Sequence, residues 1–302
     1  MLRALIKELR LHQWAKNALV ALPVVLAPGV PSAELIGRAL LAALAFSLCA
    51  SAGYVLNDLL DVEADRAHHT KKNRPFASGA LPLRMGPPLF AALLALGVGG
   101  SFALLPQRFS YMLMAYFIAT ITYSLYFKRI LLLDVLVLAG MYTQRILAGG
   151  LATSIPISAW LLSFSMFLFT SLAFAKRYVE LTRLVGEGKI QNRNYYKMDL
   201  TMVGNMGPAS GYLAVLVFSL FVVESGTHLN IYQQPALLWL AVPVLLYWIS
   251  RIWILTGRDQ MNDDPVRFAI KDPITWLCAL TLAVIFAAAR FAPDWVGKLF
   301  ES

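Results

Sequence analysis

Residues 54–79 read YVLNDLLDVEADRAHHTKKNRPFASG. Between two long apolar runs the chain places Asn57, Asp58, Asp61, Glu63 and Asp65, followed by His68, Lys71, Lys72, Arg74 and Pro75. Outward from this stretch the sequence turns oily: of 302 residues, 59% are hydrophobic and 14% charged. The apolar residues come in blocks of about twenty, the length that spans a bilayer core, rather than at the spacing of a half-buried helix or strand. This pattern predicts an all-α polytopic membrane protein with nine spans, near 17–33, 38–56, 85–105, 109–127, 131–150, 157–176, 208–225, 235–255 and 273–292. The first is short and carries Pro23 and Pro28. A soluble domain, a Gly-rich phosphate loop and a convincing repeat are all missing from the sequence, so one domain over 1–302 is the simplest reading.

Orientation follows from the Lys and Arg residues, which resist translocation. Only Arg38, Arg108, Arg290 and Lys298 fall outside if the N-terminus is inside, and Arg145 falls within a span; the rest of the 26 lie on the cytoplasmic side. The expected topology is a multi-pass protein with its N-terminus in the cytoplasm, its C-terminus outside and its chemistry at the cytoplasmic mouth. The formal net charge of +9 then sits mainly on one face, where it suits anionic lipid headgroups and anionic substrates. Membrane lipids are therefore expected neighbours, with no nucleic-acid partner. Cys49 and Cys278 both fall in predicted spans and are expected to pack as small apolar side chains.

If the second span continues as a helix through Arg66, Asp58, Asp61 and Asp65 share a sector of about 60 degrees, and Glu63 points the other way. Like charges so close repel. A hard divalent cation such as Mg²⁺ relieves this, binding a few carboxylates and keeping positions for phosphate oxygens. The competing reading is a solvated helix end at the membrane surface. Adjacent His68, Lys71, Lys72 and Arg74 complete what a diphosphate needs, since metal and cations can share its charge. Arg145 is the other candidate, because an intramembrane guanidinium is costly; pairing with Asp134, about three turns away, or snorkelling is its ordinary alternative. Lys16 is a weaker candidate, since Trp14 beside it suits an interfacial anchor, and Asp264 with Arg267 forms a DPxxR turn of a commonly structural kind.

The NDxxDxxxD pattern (Asn57, Asp58, Asp61, Asp65) and the KxxRP segment (Lys71, Arg74, Pro75) resemble the first signature of the UbiA superfamily of intramembrane prenyltransferases, and the resemblance covers essentially the whole chain. It implies a helical bundle and an enzyme that uses Mg²⁺ to draw off a diphosphate. Two departures matter. At the end of the sixth span, where the family carries a second aspartate motif, this chain reads FAKRYVELTRL, with Lys176, Arg177, Glu180 and Arg183. The family's YxxxK element is also respaced, with Tyr123 five residues before Lys128. Both changes, together with LHQWAKN (11–17), KRYVEL (176–181) and DDPVRFAIKD (263–272), are similar to one branch, the decaprenyl-phosphate phosphoribosyltransferases of mycobacteria and related actinobacteria.

That resemblance implies transfer of 5-phosphoribosyl from phosphoribosyl pyrophosphate to decaprenyl phosphate, in a bacterial plasma membrane, supplying cell-wall arabinan. Asp58, Asp61 and Asp65 would hold Mg²⁺, with Asn57 orienting the site. Lys71 and Arg74 would meet the diphosphate, and Tyr123 and Lys128 would line the pocket. Lys176, Arg177 and Arg183 would hold another phosphate, with Glu180 orienting a cation or a ribose hydroxyl; Arg145 would receive a phosphate. A homo-oligomer is compatible with the sequence. The rival readings are a polyprenyl diphosphate:aromatic acceptor prenyltransferase, against which the missing second aspartate motif counts, and a transporter for an anionic metabolite or lipid phosphate, against which the lack of related halves counts.

Overall fold

The computed structural model describes residues 1–27, 29, 31–67, 71–184, 186, 188–190, 193–225, 232–261 and 264–291. His68, Pro28, Asp263 and the C-terminal segment from 292 lie outside them. The described residues form helices joined by turns and loops, with one isolated β-bridge between Lys189 and Tyr196, and seven helices are long and apolar enough to cross a membrane. The chain is that of an integral membrane protein. Its segments run α1 (Leu2–Leu9), a 3₁₀ stretch (Leu11–Ala21), α2 (Leu22–Leu26), α3 (Ala33–Leu60) and α4 (Val62–Ala67). Next come α5 (Gly86–Leu94), a π turn (Ala95–Gly99), α6 (Gly100–Leu104), α7 (Gln107–Leu125) and α8 (Leu133–Thr153). They are followed by α9 (Ala159–Thr182), α10 (Leu200–Glu224), α11 (Ala241–Gly257), α12 (Pro265–Lys271) and α13 (Pro273–Phe291).

The seven candidate spans are α3, the run Leu83–Leu104 that includes α5 and α6, α8, α9, the run Lys197–Glu224 that ends in α10, the run Pro235–Gly257 that ends in α11, and α13. All seven coincide with expected spans. The fourth expected span is α7, a helix of 19 residues but outside the set apolar enough to qualify. The expected span at 17–33 is not one helix: a 3₁₀ stretch of 11 residues gives way to α2, of 5. Polar Trp14 and Asn17 explain the departure. Their side chains bond sideways to Ser51 (3.1 Å) and Ser47 (3.0 Å) on α3, which binds the stretch to its neighbour instead of to lipid. The count of nine is thus not reproduced by the described helices.

The chain divides into two compact units, residues 1–127 with 144–157, and residues 128–143 with 158–302. In the first, α3 is central. Ser32 caps it, accepting from Leu35 N at 3.2 Å, and its inner face packs Ala52 and Val55 against Phe76, Leu81 and Leu93. Phe76 is fully buried, which contributes about 1.5–3 kcal/mol and pins the loop carrying Arg74 to the helix. Cys49 is buried and free, as is Cys278 in the second unit. The second unit is built on α9 and α10, with Ala173, Val179, Val215, Phe218, Ile249 and Trp253 in one apolar core.

Gly149 marks a close approach within the first unit. A Cβ there would stand 2.0 Å from the Val20 carbonyl oxygen and 3.2 Å from Pro23, so α8 and the 3₁₀ stretch touch backbone to backbone. Gly149→Ala is expected to cost about 1–3 kcal/mol by overpacking. Gly140→Ala on the same helix, where a Cβ meets nothing within 4 Å, is expected to be neutral. Thermal unfolding of the two variants in detergent checks the contrast; equal melting points would remove the close approach from the account.

Candidate functional site

The aspartate site is built on the end of α3. That helix stops at Asp61 (φ −98°, ψ 10°), and the chain resumes as α4. The break alters the expected geometry. Asp58 and Asp65 are buried at 2% exposure, whereas Asp61, at the helix end, is exposed. The expected face of three carboxylates therefore becomes two, because the turn at Asp61 interrupts the 100-degree step that would have aligned it.

What draws Asp58 and Asp65 together is one atom. Arg74 Nη1 donates to Asp58 Oδ1 at 2.9 Å and to Asp65 Oδ2 at 2.6 Å. Arg10 Nη2 reaches both Asp58 oxygens, at 2.7 and 2.8 Å, and its guanidinium lies 4.6 Å from the centre of the Tyr54 ring. Arg10 itself is left-handed (φ 51°, ψ 48°), a conformation that costs a non-glycine residue about 1–2 kcal/mol. Two charge-assisted bonds repay that strain. Asn57 Nδ2 lies 3.4 Å from Ser124 Oγ, which orients it as the aspartates' neighbour. Lys71 is exposed on the adjoining turn, and Lys16 and Tyr123 are half-buried.

Glu8, at the end of α1, joins this group and was not anticipated. It is fully buried. No donor reaches either of its oxygens, and the group within hydrogen-bonding reach is the Asp58 carboxyl, an acceptor unless one of the two carries a proton. Burial pushes its carboxyl up to about 7, helped by the charge of Asp58 and opposed by Arg10 and Arg74. The sequence held one signal. In LRALIKEL, Ala4, Leu5, Glu8 and Leu9 fall on the inward stripe, so a carboxylate occupies a position where the helix pattern asks for an apolar side chain.

Among the described residues no group of three His, Cys, Asp or Glu could hold a metal ion as it stands. The three aspartates expected to share a metal are not gathered on one face: Asp58 and Asp65 are buried and Asp61 is exposed. The donors nevertheless fit a hard cation. Two buried carboxylates converge on one positively charged nitrogen, and a third, orphaned carboxylate stands beside them. Oxygen ligands of this kind suit Mg²⁺.

Arg145, 8% exposed, lies in the same unit. Its Nε donates to Asn17 Oδ1 at 3.0 Å and its Nη2 to the Tyr116 hydroxyl at 2.8 Å. Asp134 belongs to the second unit, fully buried, where Tyr195 Oη donates to it at 2.8 Å and Arg193 Nη1 at 3.3 Å. Arg177 Nε lies 3.0 Å from Asp134 Oδ2, the oxygen that Arg193 also approaches, close enough for an ion pair but off the line of a hydrogen bond.

Arg177 is also fully buried and bonds Glu180, which in turn pairs with Arg193 at 3.4 Å. Arg177 therefore faces carboxylates, and its expected role as a direct phosphate ligand gives way to one inside a buried ion network. Glu180 pairs with both Arg177 and Arg193. Lys176 and Lys128 are half-buried and Arg183 is exposed. Nearby, Lys197 Nζ donates to the carbonyls of Leu181, Thr182 and Leu184 at 2.9, 3.0 and 3.2 Å, capping the C-terminal end of α9. Asp264 caps α12 through Val266 N at 3.1 Å and Arg267 N at 3.3 Å, the structural reading of the DPxxR turn.

These features define a polytopic helical membrane protein with a buried acid–guanidinium site at the end of one span. The chain matches the UbiA prenyltransferase family model over residues 17–277, and it belongs to that family. It is 36% identical over 286 residues to the uncharacterised protein y4nM of Sinorhizobium fredii, covering 94% of this chain but 55% of that protein. The chain thus spans about half the length of that relative. It is 35% identical to the nodulation protein NoeC of Azorhizobium caulinodans, over 91% of this chain and 89% of NoeC. It is 29% identical to the decaprenyl-phosphate phosphoribosyltransferase of Mycobacterium tuberculosis, over 96% of each. Among solved structures, a UbiA homolog from Archaeoglobus fulgidus bound to DMAPP and Mg²⁺ superposes with a TM-score of 0.68 at 14% identity, over 94% of this chain and 98% of that one. At that identity the likeness is one of fold.

Proposed function

We propose that the protein transfers 5-phosphoribosyl from phosphoribosyl pyrophosphate to a polyprenyl phosphate of the decaprenyl class, releasing diphosphate, as a single UbiA-like domain in a bacterial inner membrane with its site facing the cytoplasm. The observation that carries the reading is Arg74 Nη1 bridging the buried Asp58 and Asp65, an arrangement of hard acids and a cation suited to a leaving diphosphate. Relatives named decaprenyl-phosphate phosphoribosyltransferase at 29% and 30% identity and the replacement of a second aspartate motif by Lys176 and Arg183 support it.

In this reading the bond from the ribose anomeric carbon to the diphosphate oxygen breaks as a lipid phosphate oxygen bonds to that carbon. The acceptor oxygen is already anionic at neutral pH, so the reaction needs no general base. Asp58 and Asp65, with Asp61 at the rim, would hold Mg²⁺, which when bound supplies Lewis-acid stabilisation of the leaving group. Asn57 holds the end of α3 in register. Arg74 and Arg10, half-buried, and Lys71, exposed on the adjoining turn, neutralise diphosphate oxygens, the half-buried pair acting more strongly than charges in open water. Lys176 and Arg183 take a second phosphate, and Arg177 and Glu180 fix the helix end that presents them. Arg145, bonded to Asn17, holds the 3₁₀ stretch that bears Lys16, and Tyr123 and Lys128 line the substrate's path.

The test incubates purified protein and Mg²⁺ with labelled phosphoribosyl pyrophosphate and decaprenyl phosphate. In parallel it is given a polyprenyl diphosphate and 4-hydroxybenzoate. Label is expected in the organic phase of the first tube, and EDTA is expected to stop it. Product in the second tube alone would replace the reading by aromatic prenyl transfer, and full activity in EDTA would remove the metal.

A further inference from the structure

Glu8 has a fully buried carboxyl that no donor meets and that faces a second acid, Asp58, an arrangement that costs free energy unless a proton or a cation offsets it. Its helix is tied down on three sides. Lys7 Nζ donates to Asn73 O at 2.7 Å, Ser51 Oγ donates to Leu9 O at 2.8 Å, and Arg10 grips Asp58. The charged groups facing Glu8 are Asp58, Arg10 and Arg74. With Asp65 the cluster sets three carboxyl groups against two guanidiniums, and Asp65 and Asp58 share Arg74, so Glu8 is the acid left without a cation of its own.

We infer that Glu8 is a further carboxylate of the Asp58–Asp65 site, delivered by the N-terminal helix, and that together with Asp58 it helps hold the divalent cation on the diphosphate. This rests on the metal-assisted reading above. It adds a contact from outside the aspartate stretch, so that α1 becomes part of the binding machinery rather than an interfacial anchor. An interfacial anchor would place apolar or cationic side chains inward from Leu9, whereas this helix buries an acid against acids. A proton shared between Glu8 and Asp58, with no cation, is the competing arrangement.

The experiment measures Mn²⁺ binding, as a stand-in for Mg²⁺, by electron paramagnetic resonance on the purified full-length protein in detergent with saturating inorganic diphosphate. Wild type is compared with Glu8→Gln, Asp58→Asn and the exposed-site control Glu63→Gln. Glu8→Gln is expected to weaken Mn²⁺ binding about 10- to 100-fold while its melting temperature in EDTA stays level or rises, since the amide removes an unpaired charge. Glu63→Gln is expected to match wild type. Should Glu8→Gln fail to fold, Glu8→Asp keeps the charge but withdraws it by one methylene, and the same weakening is expected. Wild-type Mn²⁺ affinity in Glu8→Gln, with loss in Asp58→Asn, would overturn the inference and leave the metal reading intact. Wild type that takes up no Mn²⁺, or an Asp58→Asn that binds it undiminished, would overturn the metal reading itself.

Discussion

Asp58→Asn is expected to lower kcat/KM for phosphoribosyl transfer by several hundred- to a thousandfold while the protein stays folded. In the proposed reaction Asp58 would help hold a Lewis acid on the leaving diphosphate, a contribution of several kcal/mol; at about 1.4 kcal/mol per tenfold, a loss of about 4 kcal/mol gives that factor. The fold survives because the amide fills the same space and Arg74 keeps Asp65, 2.6 Å away. Asp61→Asn is expected to cost less, because Asp61 stands at the exposed end of α3. Steady-state kinetics and a melt on the same preparations decide it. If Asp61→Asn proved the more damaging, the reacting arrangement of the three aspartates would differ from that of the structure.

Asp134→Ala is expected to have the largest effect on stability, about 3–5 kcal/mol, the usual cost of removing one side of a buried ion pair. It leaves Arg177, with no exposure at all, and Arg193 short of a counter-charge, and takes the acceptor from the Tyr195 hydroxyl. Replacing both partners, as Asp134→Leu with Arg177→Met, is expected to recover a substantial part of the loss, since no bare charge then remains. Urea unfolding in detergent gives the two numbers. A single mutant as stable as wild type would show that Arg177 is free for another role, and the phosphate assignment would return.

The spans were legible because a bilayer imposes a length that a run of apolar residues displays directly. Residues 17–33 misled for the same reason: their composition suits a span, but Trp14 and Asn17 commit the preceding backbone to α3. The aspartate pair was legible from helical spacing up to the turn at Asp61, which no residue type announces. Arg177 was found as a site cation but misread in role, because its counter-charge Asp134 is remote in sequence and Arg193 and Tyr195 arrive from the following loop. Glu8 was missed because its meaning lies in what it touches, 50 residues further along the chain, at Asp58.

Lys197 closing the end of α9 bears on how the protein is made. Its three carbonyl partners lie 13 to 16 residues upstream, and Arg193 and Tyr195 reach back to Glu180 and Asp134. By the time α10 leaves the ribosome, Arg193, Tyr195 and Lys197 in the connection before it can already meet their partners in chain made earlier. The α9–α10 hairpin can therefore enter the bilayer as a pair, with Arg193 already matched to Asp134 and Glu180, before the last spans are synthesised.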